Sequence, residues 1–280
     1  MKIALTGATG FIGRHVLACL MGQDVEIVAV TREAGRLAGL DARVRVVELD
    51  IAHPPENAYE QLGTPDILMH LAWGGLPNYN SSHHFEAELP MHYRFLKGLV
   101  DAGLSHLLVT GTCFEYGMQS GPLSASLETR PSNPYGFAKD ALRKQLGFLK
   151  RDRPFHLTWA RLFYMYGQGQ SSGSLYSQLQ KAVESGDDVF NMSGGEQLRD
   201  YLPIEDVAAD LVRLAILKRD VGPINLCSGT PISVRQLVES WLTQHGWSIA
   251  LNLGHYPYPE YEPMAFWGDR QPLDDLLGRS

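Results

Sequence analysis

The fold is decided by a stretch near the N-terminus, Thr6-Gly7-Ala8-Thr9-Gly10-Phe11-Ile12-Gly13. It follows a short apolar run that predicts a strand, Lys2-Leu5, and it opens an amphipathic segment that predicts a helix, 11–21. Glycines at this spacing in a strand-to-helix turn are typical of a dinucleotide-binding loop. They permit the tight turn, the approach of a pyrophosphate to the backbone, and close packing of helix on sheet.

Apolar runs and helical patterns alternate through the first half of the chain, which predicts a parallel sheet with crossover helices. We therefore expect an α/β fold with a Rossmann-type, doubly wound parallel sheet. Helical patterns cover about 85–102 and 134–150. The further predicted strands are Glu26-Thr31, Val44-Leu49, Ile67-Leu71, His106-Thr110 and His156-Arg161.

Past residue 161 the regular pattern weakens and glycines mark loops. One helix-strand pair, 204–217 and 224–227, is regular enough to return to the main sheet. We therefore expect residues 1–162, with 204–228, to form the cofactor domain. A smaller C-terminal substrate lobe would then combine 163–203 and 229–280.

Composition narrows the class of protein. The chain has 280 residues, 44% of them hydrophobic, and a formal net charge of -7, so we expect no nucleic-acid partner. Its three cysteines match neither a disulfide framework nor a zinc spacing, and we expect no metal. No apolar run approaches the roughly 20 residues that span a bilayer, which predicts a cytoplasmic protein without a membrane partner.

The end of the second strand bears on the choice of cofactor. An acidic residue there would bind the ribose 2′-hydroxyl of NAD, but this chain has Thr31-Arg32. Arg32, assisted by Arg14 or Arg36, suits a 2′-phosphate, which predicts NADP(H); alternatively these arginines are merely solvated. After the third strand, Asp50-Ile51 is placed either to contact the adenine or to cap the next turn.

Tyr135 and Lys139 lie one helical turn apart and share a helix face. A tyrosine acts as an acid or base near neutral pH only if its pKa is lowered, and we expect the neighbouring ammonium to lower it. Thr112, at the end of the fifth strand, is the natural third group to hold a substrate oxygen. Such a pair also arises by coincidence, but the glycine stretch and Thr112 favour catalysis.

These motifs, in this order, resemble the extended short-chain dehydrogenases/reductases of the NAD(P)-dependent sugar-nucleotide epimerase/dehydratase group. The resemblance covers nearly the whole chain. It rests on the glycine stretch, Asp50-Ile51, His70-Leu71-Ala72-Trp73, Thr112 through Tyr116-Gly117, Tyr135-x-x-x-Lys139, Arg161 through Tyr166-Gly167, Arg199-Asp200-Tyr201 and Ile224 through Gly229.

The resemblance implies the site residues. Thr112, Tyr135 and Lys139 would be catalytic, and Lys139 would also bind the nicotinamide ribose. Arg199 would meet the substrate diphosphate, or else pair with Asp200 or Glu205. The cofactor set would be Gly7, Thr9, Gly10, Phe11, Ile12, Gly13, Arg32, Arg36, Asp50, Ile51, Leu71, Ala72, Trp73, Tyr135 and Lys139. The substrate set would be Trp73, Thr112, Cys113, Tyr164 and Arg199.

One departure from the family pattern bears on the reaction. In 4,6-dehydratases the catalytic threonine precedes aspartate and glutamate, whereas Thr112 precedes Cys113 and Phe114, which disfavours dehydration. Glu115 is one residue out of register, and we expect it on a strand, facing away from Phe114. The pair His83-His84 has no companions at zinc-like spacing, so we expect it to serve a loop or a helix cap.

The sequence thus predicts an NADPH-dependent oxidoreductase that reduces a nucleotide-linked 4-keto-6-deoxyhexose, with dTDP as the expected nucleotide, in 6-deoxyhexose biosynthesis. Its partner would be a nucleotide-diphosphate sugar. The alternatives are an NAD-dependent sugar-nucleotide 4-epimerase and a non-catalytic NADP-sensing regulator. Relatives commonly dimerise through two helices, here about 85–102 and 134–150, so we expect a homodimer.

Overall fold

The structure is a computed structural model, which describes residues 1–258, 260 and 262–279. The strands are β1 (Lys2–Thr6), β2 (Glu26–Thr31), β3 (Val44–Glu48), β4 (Ile67–His70), β5 (His106–Thr112), β6 (Gly121–Leu123), β7 (His156–Leu162), β8 (Tyr164–Tyr166), β9 (Val189–Asn191), β10 (Leu198–Arg199), β11 (Tyr201–Pro203), β12 (Gly222–Leu226), β13 (Ile232–Ser233), β14 (Ala250–Asn252) and β15 (Phe266–Gly268). The helices are α1 (Phe11–Met21), α2 (Ala58–Gln61), α3 (Leu89–Asp101), α4 (Pro134–Asp152), α5 (Leu175–Glu184), α6 (Ile204–Ile216), α7 (Val234–His245) and α8 (Gln271–Leu277).

Seven parallel strands form the main sheet, in the order β12-β7-β5-β4-β1-β2-β3. Strand β1 pairs with β2 on one side and β4 on the other, so the chain changes direction across the sheet between β1 and β4. Ligands of such folds bind at this switch, beyond the carboxyl ends of the strands. The predicted Rossmann-type α/β fold is confirmed.

Apolar side chains cover both faces of the sheet, which is why its central strands are almost continuously hydrophobic. On one face, α1 and α6 contribute buried residues such as Leu17 and Val207. On the other, α3 and α4 contribute Leu96 and Leu142, which pack against the same core as Trp159. These helices fix the loops at the carboxyl edge of the sheet.

The segment after β5 differs from expectation. Thr112 ends the strand, and Cys113–Tyr116 forms a short 3₁₀ turn instead of continuing it, so the expectation that Glu115 lies on a strand is wrong. A capping box explains the change: the Thr112 hydroxyl accepts from the backbone N–H of Phe114 at 3.3 Å, and the Glu115 carboxylate accepts from the N–H of Thr112 at 2.9 Å. Glu115 therefore points inwards and is fully buried.

The later part of the chain contributes paired short strands: β8 with β11, β9 with β14, β10 with β13, and β15 with β6. Strand β8 follows β7 almost directly, which places it beside the carboxyl edge of the main sheet. The Tyr164 N–H donates to the carbonyl of Asp200, which brings the end of β10 next to β8. Within the described ranges, no helix is both long and apolar enough to cross a membrane.

Candidate active site

The glycine loop between β1 and α1 has the close contacts that a phosphate cradle requires. Gly7 has a left-handed φ of 75°, and a Cβ there would lie 2.8 Å from the backbone nitrogen of Ala72. A Cβ on Gly13 would lie 1.9 Å from the carbonyl oxygen of Gly7. Only glycine fits these two positions, so the loop and the helix N-terminus suit a dinucleotide pyrophosphate.

Gly13→Ala is expected to abolish NADH binding and to lower the free energy of unfolding by about 1–3 kcal/mol, because the loop must shift to relieve the clash. The measurements are NADH fluorescence titration and urea unfolding. Gly147→Ala in α4 is the matched control, since a Cβ there meets nothing within 4 Å. Wild-type NADH affinity in Gly13→Ala would contradict this account of the loop.

A cavity of about 440 Å³ runs along the carboxyl edge of the sheet, from the ends of β2 and β3 to the end of β4. Phe11 and Ile12, also predicted to bind cofactor, do not line this cavity with their side chains, which pack against the core beneath the loop. The predicted cofactor residues that line the cavity are Gly7, Thr9, Gly10, Arg32, Arg36, Asp50, Ile51, Leu71, Ala72 and Trp73. The cavity therefore brings together most of the predicted cofactor set.

Asp50 makes local hydrogen bonds at this cavity. Its carboxylate accepts from the backbone N–H of Ala52 at 3.0 Å and contacts the Nδ1 atom of His53 at 3.1 Å. The Ala52 hydrogen bond, followed by the one from His53, lowers the pKa of Asp50. Asp50 thus caps its own turn while lining the cavity.

Thr112 and Tyr135 lie beside the end of β5, where the Thr112 side chain is close enough to the Tyr135 phenol to lower its pKa slightly against the larger effect of burial. Tyr135 lies in the first turn of α4, which begins here because Pro134 suits the first helical position and the Asn133 side chain accepts from the N–H of Gly136 at 2.8 Å. Both side chains of the pair are buried. A tyrosine beside a threonine is suited to removing the proton of a substrate hydroxyl, since the threonine can orient the substrate oxygen and the tyrosine can take the proton.

Lys139 does not contact the Tyr135 phenol in this structure. Its Nζ atom donates to the carbonyl of Thr110 at 2.9 Å and lies 4.0 Å from the ring centroid of Trp73, but 6.0 Å from that of Tyr135. Burial raises the pKa of Tyr135, and burial lowers the pKa of Lys139 to about 7. The expectation that the ammonium lowers the Tyr135 pKa is therefore wrong for this arrangement.

The predicted substrate residue Arg199 pairs with neither Asp200 nor Glu205. Its Nη2 and Nε atoms donate to Glu262 Oε2 at 2.9 and 3.3 Å, and the Tyr164 hydroxyl donates to the other oxygen of the same carboxylate. Burial raises the pKa of the Cys113 thiol, and the nearby charge of Glu262 raises it further. Sequence reasoning missed Glu262, which lies 63 residues from Arg199.

A second missed group lies around Trp73. His83 and His84 serve more than a loop or cap: His83 and His92 hydrogen-bond to Glu88, and His84 accepts from Trp73, whose ring stacks on His92 beside the cavity. Among the residues that the structure describes, no group of three or more His, Cys, Asp or Glu is placed to hold a metal ion. The histidine pair in the sequence was the only signal of this network.

Comparison with known proteins decides the family. The model of the NAD dependent epimerase/dehydratase family matches residues 3–227. The chain belongs to this family. The family assignment agrees with the resemblance drawn from the motifs, and it makes a nicotinamide-dependent enzyme the coarse description of the protein.

Curated members of the family match over nearly the full chain. The dTDP-6-deoxy-L-talose 4-dehydrogenase (NAD(+)) of Aggregatibacter actinomycetemcomitans is 30% identical, over 96% of this chain and 99% of its own. A UDP-glucose 4-epimerase of Halalkalibacterium halodurans is 23% identical, over 99% and 90%. Among solved structures, MoeE5 in complex with UDP-glucuronic acid and NAD is 25% identical, with a TM-score of 0.82 over 99% of this chain and 93% of that one.

These relatives correct the predicted reaction. The expectation of an NADPH-dependent reductase of a 4-keto-6-deoxyhexose is wrong, because the two curated relatives above are a 4-dehydrogenase and a 4-epimerase. They favour the epimerase alternative over the reductase. The physical reason is that a threonine, tyrosine and lysine set of the predicted kind would serve hydride transfer in either direction. The predicted role of Arg32 concerns the cofactor alone, so no residue in the motifs distinguishes oxidation from reduction.

Proposed function

We propose that this protein is a 4-dehydrogenase that oxidises the C4 hydroxyl of a nucleotide-linked 6-deoxyhexose with NAD⁺. The observation that carries the proposal is the closeness of Thr112 and Tyr135, next to Trp73 in the lining of a cofactor cavity that begins at the glycine loop. The 4-dehydrogenase relative supports the choice of reaction, since it and this chain match over nearly their whole lengths.

The chemistry follows from the site. NAD⁺ bound in the cavity would supply the acceptor for the C4 hydride. The Thr112 hydroxyl, held by its own cap, orients the C4 oxygen by a hydrogen bond. Tyr135 acts as the general base and accepts the proton of that hydroxyl while the C4–H bond of the sugar breaks. Loss of both the proton and the hydride leaves a ketone at C4.

Lys139 supplies the positive charge that this proton transfer needs. Because burial raises the pKa of Tyr135, the phenolate forms readily only when an ammonium lies beside it. The Lys139 Nζ atom, held 4.0 Å from the Trp73 ring centroid and 6.0 Å from that of Tyr135, would supply this ammonium, and it would also bind the ribose hydroxyls. We therefore keep Thr112, Tyr135 and Lys139 as the catalytic set.

The second candidate is a 4-epimerase, which the UDP-glucose 4-epimerase relative favours. Both activities begin with the same transfer of hydride from C4 to the cofactor. They differ in whether the hydride then leaves with the cofactor or returns to the sugar. A substrate with deuterium at C4 separates them: a dehydrogenase transfers the label to NADH that leaves the enzyme, whereas an epimerase returns it to the inverted sugar. Label in the released cofactor supports the proposal, and label retained in an epimer contradicts it.

We propose that the cavity also accepts NADP⁺, because Arg32 and Arg36 line it beyond the end of β2. Arg32→Ala is expected to raise KM for NADP⁺ by about 10–100-fold, through loss of a charged hydrogen bond to the 2′-phosphate. KM for NAD⁺ should change less than about twofold. Steady-state kinetics with each cofactor test this prediction. An equal change in KM for NADP⁺ and NAD⁺ would show that Arg32 does not bind the 2′-phosphate.

We propose further that the sugar and its diphosphate bind against segments 163–203 and 229–280, which would form the substrate lobe. Tyr164, Arg199 and Glu262 support this placement, since they meet close to Cys113, the neighbour of Thr112. A diphosphate at Arg199 would have to displace the carboxylate of Glu262. A homodimer through α3 and α4 remains our proposal for the assembly.

A further inference from the structure

Glu88 is a buried carboxylate outside the catalytic set, at the start of α3. It is 6% exposed, and three donors satisfy it: the Gly74 backbone N–H at 2.7 Å, His92 Nε2 at 3.0 Å and His83 Nε2 at 2.9 Å. Although burial opposes it, the hydrogen bonds from His92 and Gly74 lower the pKa of Glu88 to about 2. The carboxylate is therefore charged at every pH at which the enzyme works.

The charge on Glu88 fixes the proton positions on the neighbouring histidines. His92 donates through Nε2 to Glu88, so its Nδ1 accepts from His70 Nε2 at 2.8 Å. His70 Nδ1 in turn accepts from the Thr6 hydroxyl at 2.8 Å. Burial lowers the pKa of both His70 and His92, so both rings stay neutral.

Several neighbouring groups hold the Trp73 ring in place. Its ring stacks on His92, with centroids 4.5 Å apart and planes 6° from parallel. Its Nε1 atom donates to His84 Nδ1 at 3.1 Å, and His84 Nε2 donates to the carbonyl of Asn78 at 2.8 Å. A Cβ on Gly74 would lie 2.5 Å from Glu88 Oε1, so the backbone next to the indole rests directly on the carboxylate.

The Lys139 ammonium lies over this fixed indole, 4.0 Å from its ring centroid, a cation–π contact. The contact links Lys139 to Glu88 through Trp73 and His92. We propose that Glu88 is a positioning residue for Lys139: its carboxylate fixes the stacked pair of His92 and Trp73, and the indole holds the Lys139 ammonium ready for catalysis. The kinetic part of this proposal rests on the proposed function, but the binding of the ammonium by Trp73 does not.

Charge supports the same link. Burial lowers the pKa of Lys139 to about 7, while the carboxylates of Glu115 and Glu88 raise it. The other titratable groups that face Lys139 are the neutral rings of His70 and His92 and the phenol of Tyr135. Loss of the Glu88 charge should therefore let Lys139 lose its proton at a lower pH.

The direct test is a pH titration of Trp73 fluorescence, obtained as wild type minus Trp73→Phe, which needs no substrate. We expect one transition between about pH 5 and pH 9 in the wild type. It should be absent in Lys139→Met and should move down by at least about 0.5 pH unit in Glu88→Gln, which keeps the shape of the side chain. An unmoved midpoint in Glu88→Gln, or a transition that survives in Lys139→Met, would overturn the proposal.

Kinetics extend the test to catalysis. Glu88→Gln is expected to lower kcat for NAD⁺ reduction at pH 7 about tenfold, with KM for the nucleotide sugar within about twofold. His83→Gln is the matched control, since its half-exposed side chain contacts the same carboxylate but not Trp73, and it should change neither parameter by more than about twofold. An unchanged kcat in Glu88→Gln would overturn the positioning role. If wild type turns over no substrate, the proposed function fails while the fluorescence result still decides the link.

Discussion

Tyr135→Phe is expected to lower kcat for NAD⁺ reduction by about 10²–10⁴-fold. The variant keeps the ring and its packing against Trp73 and Tyr79 but removes the group that we propose accepts the proton of the C4 hydroxyl. Because the cofactor cavity is lined by other residues, NADH affinity should change less than about threefold. Steady-state kinetics and NADH fluorescence titration measure the two effects.

The matched control is Tyr59→Phe. Its hydroxyl donates to the backbone carbonyl of Pro65 at 3.3 Å, remote from the cavity, so kcat should stay within about twofold of wild type. A Tyr135→Phe enzyme that keeps wild-type turnover would remove Tyr135 from the mechanism. Equal loss of NADH binding and turnover would instead show that the phenol serves to bind the cofactor.

Glu115→Ala is expected to lower the free energy of unfolding by about 3–5 kcal/mol. The Glu115 carboxylate accepts from Arg161 Nε at 2.7 Å and from Trp159 Nε1 at 2.9 Å, in addition to the Thr112 N–H. Its removal leaves the Arg161 guanidinium without its carboxylate, with that side chain only 1% exposed. The turn that carries Thr112 should loosen as well, so turnover should fall.

Urea unfolding of Glu115→Ala measures this loss. Glu239→Ala is the matched control, because the ion pair of Glu239 with Arg235 is half-exposed and contributes only about 0–1 kcal/mol. Similar unfolding free energies for the two variants would show that the buried network around Glu115 does not stabilise the fold.

Local patterns predicted the architecture well. Helix α1 and strand β2 have the predicted bounds, because the 3.6-residue period of a surface helix and a continuous apolar run are both readable along the chain. The glycine loop was also readable, since Gly7 and Gly13 occupy positions that admit no Cβ. These features depend on residues close in sequence.

Contacts between residues that are far apart in sequence could not be predicted from the sequence. Glu115 was assigned to a strand because its capping of Thr112 and its pairing with Arg161 depend on the folded sheet. Glu262 meets Arg199 across 63 residues of chain. The spacing of Tyr135 and Lys139 placed both on one helix face, but it could not show that the ammonium lies over Trp73.

The most direct test of the central claim follows nicotinamide absorbance after purified protein is mixed with dTDP-6-deoxy-L-talose, with NAD⁺ and NADP⁺ in parallel. We expect cofactor reduction that depends on the sugar and matches the amount of 4-keto product formed. No reduction of either cofactor, together with conversion of a nucleotide sugar to its C4 epimer, would contradict the 4-dehydrogenase and establish the epimerase in its place.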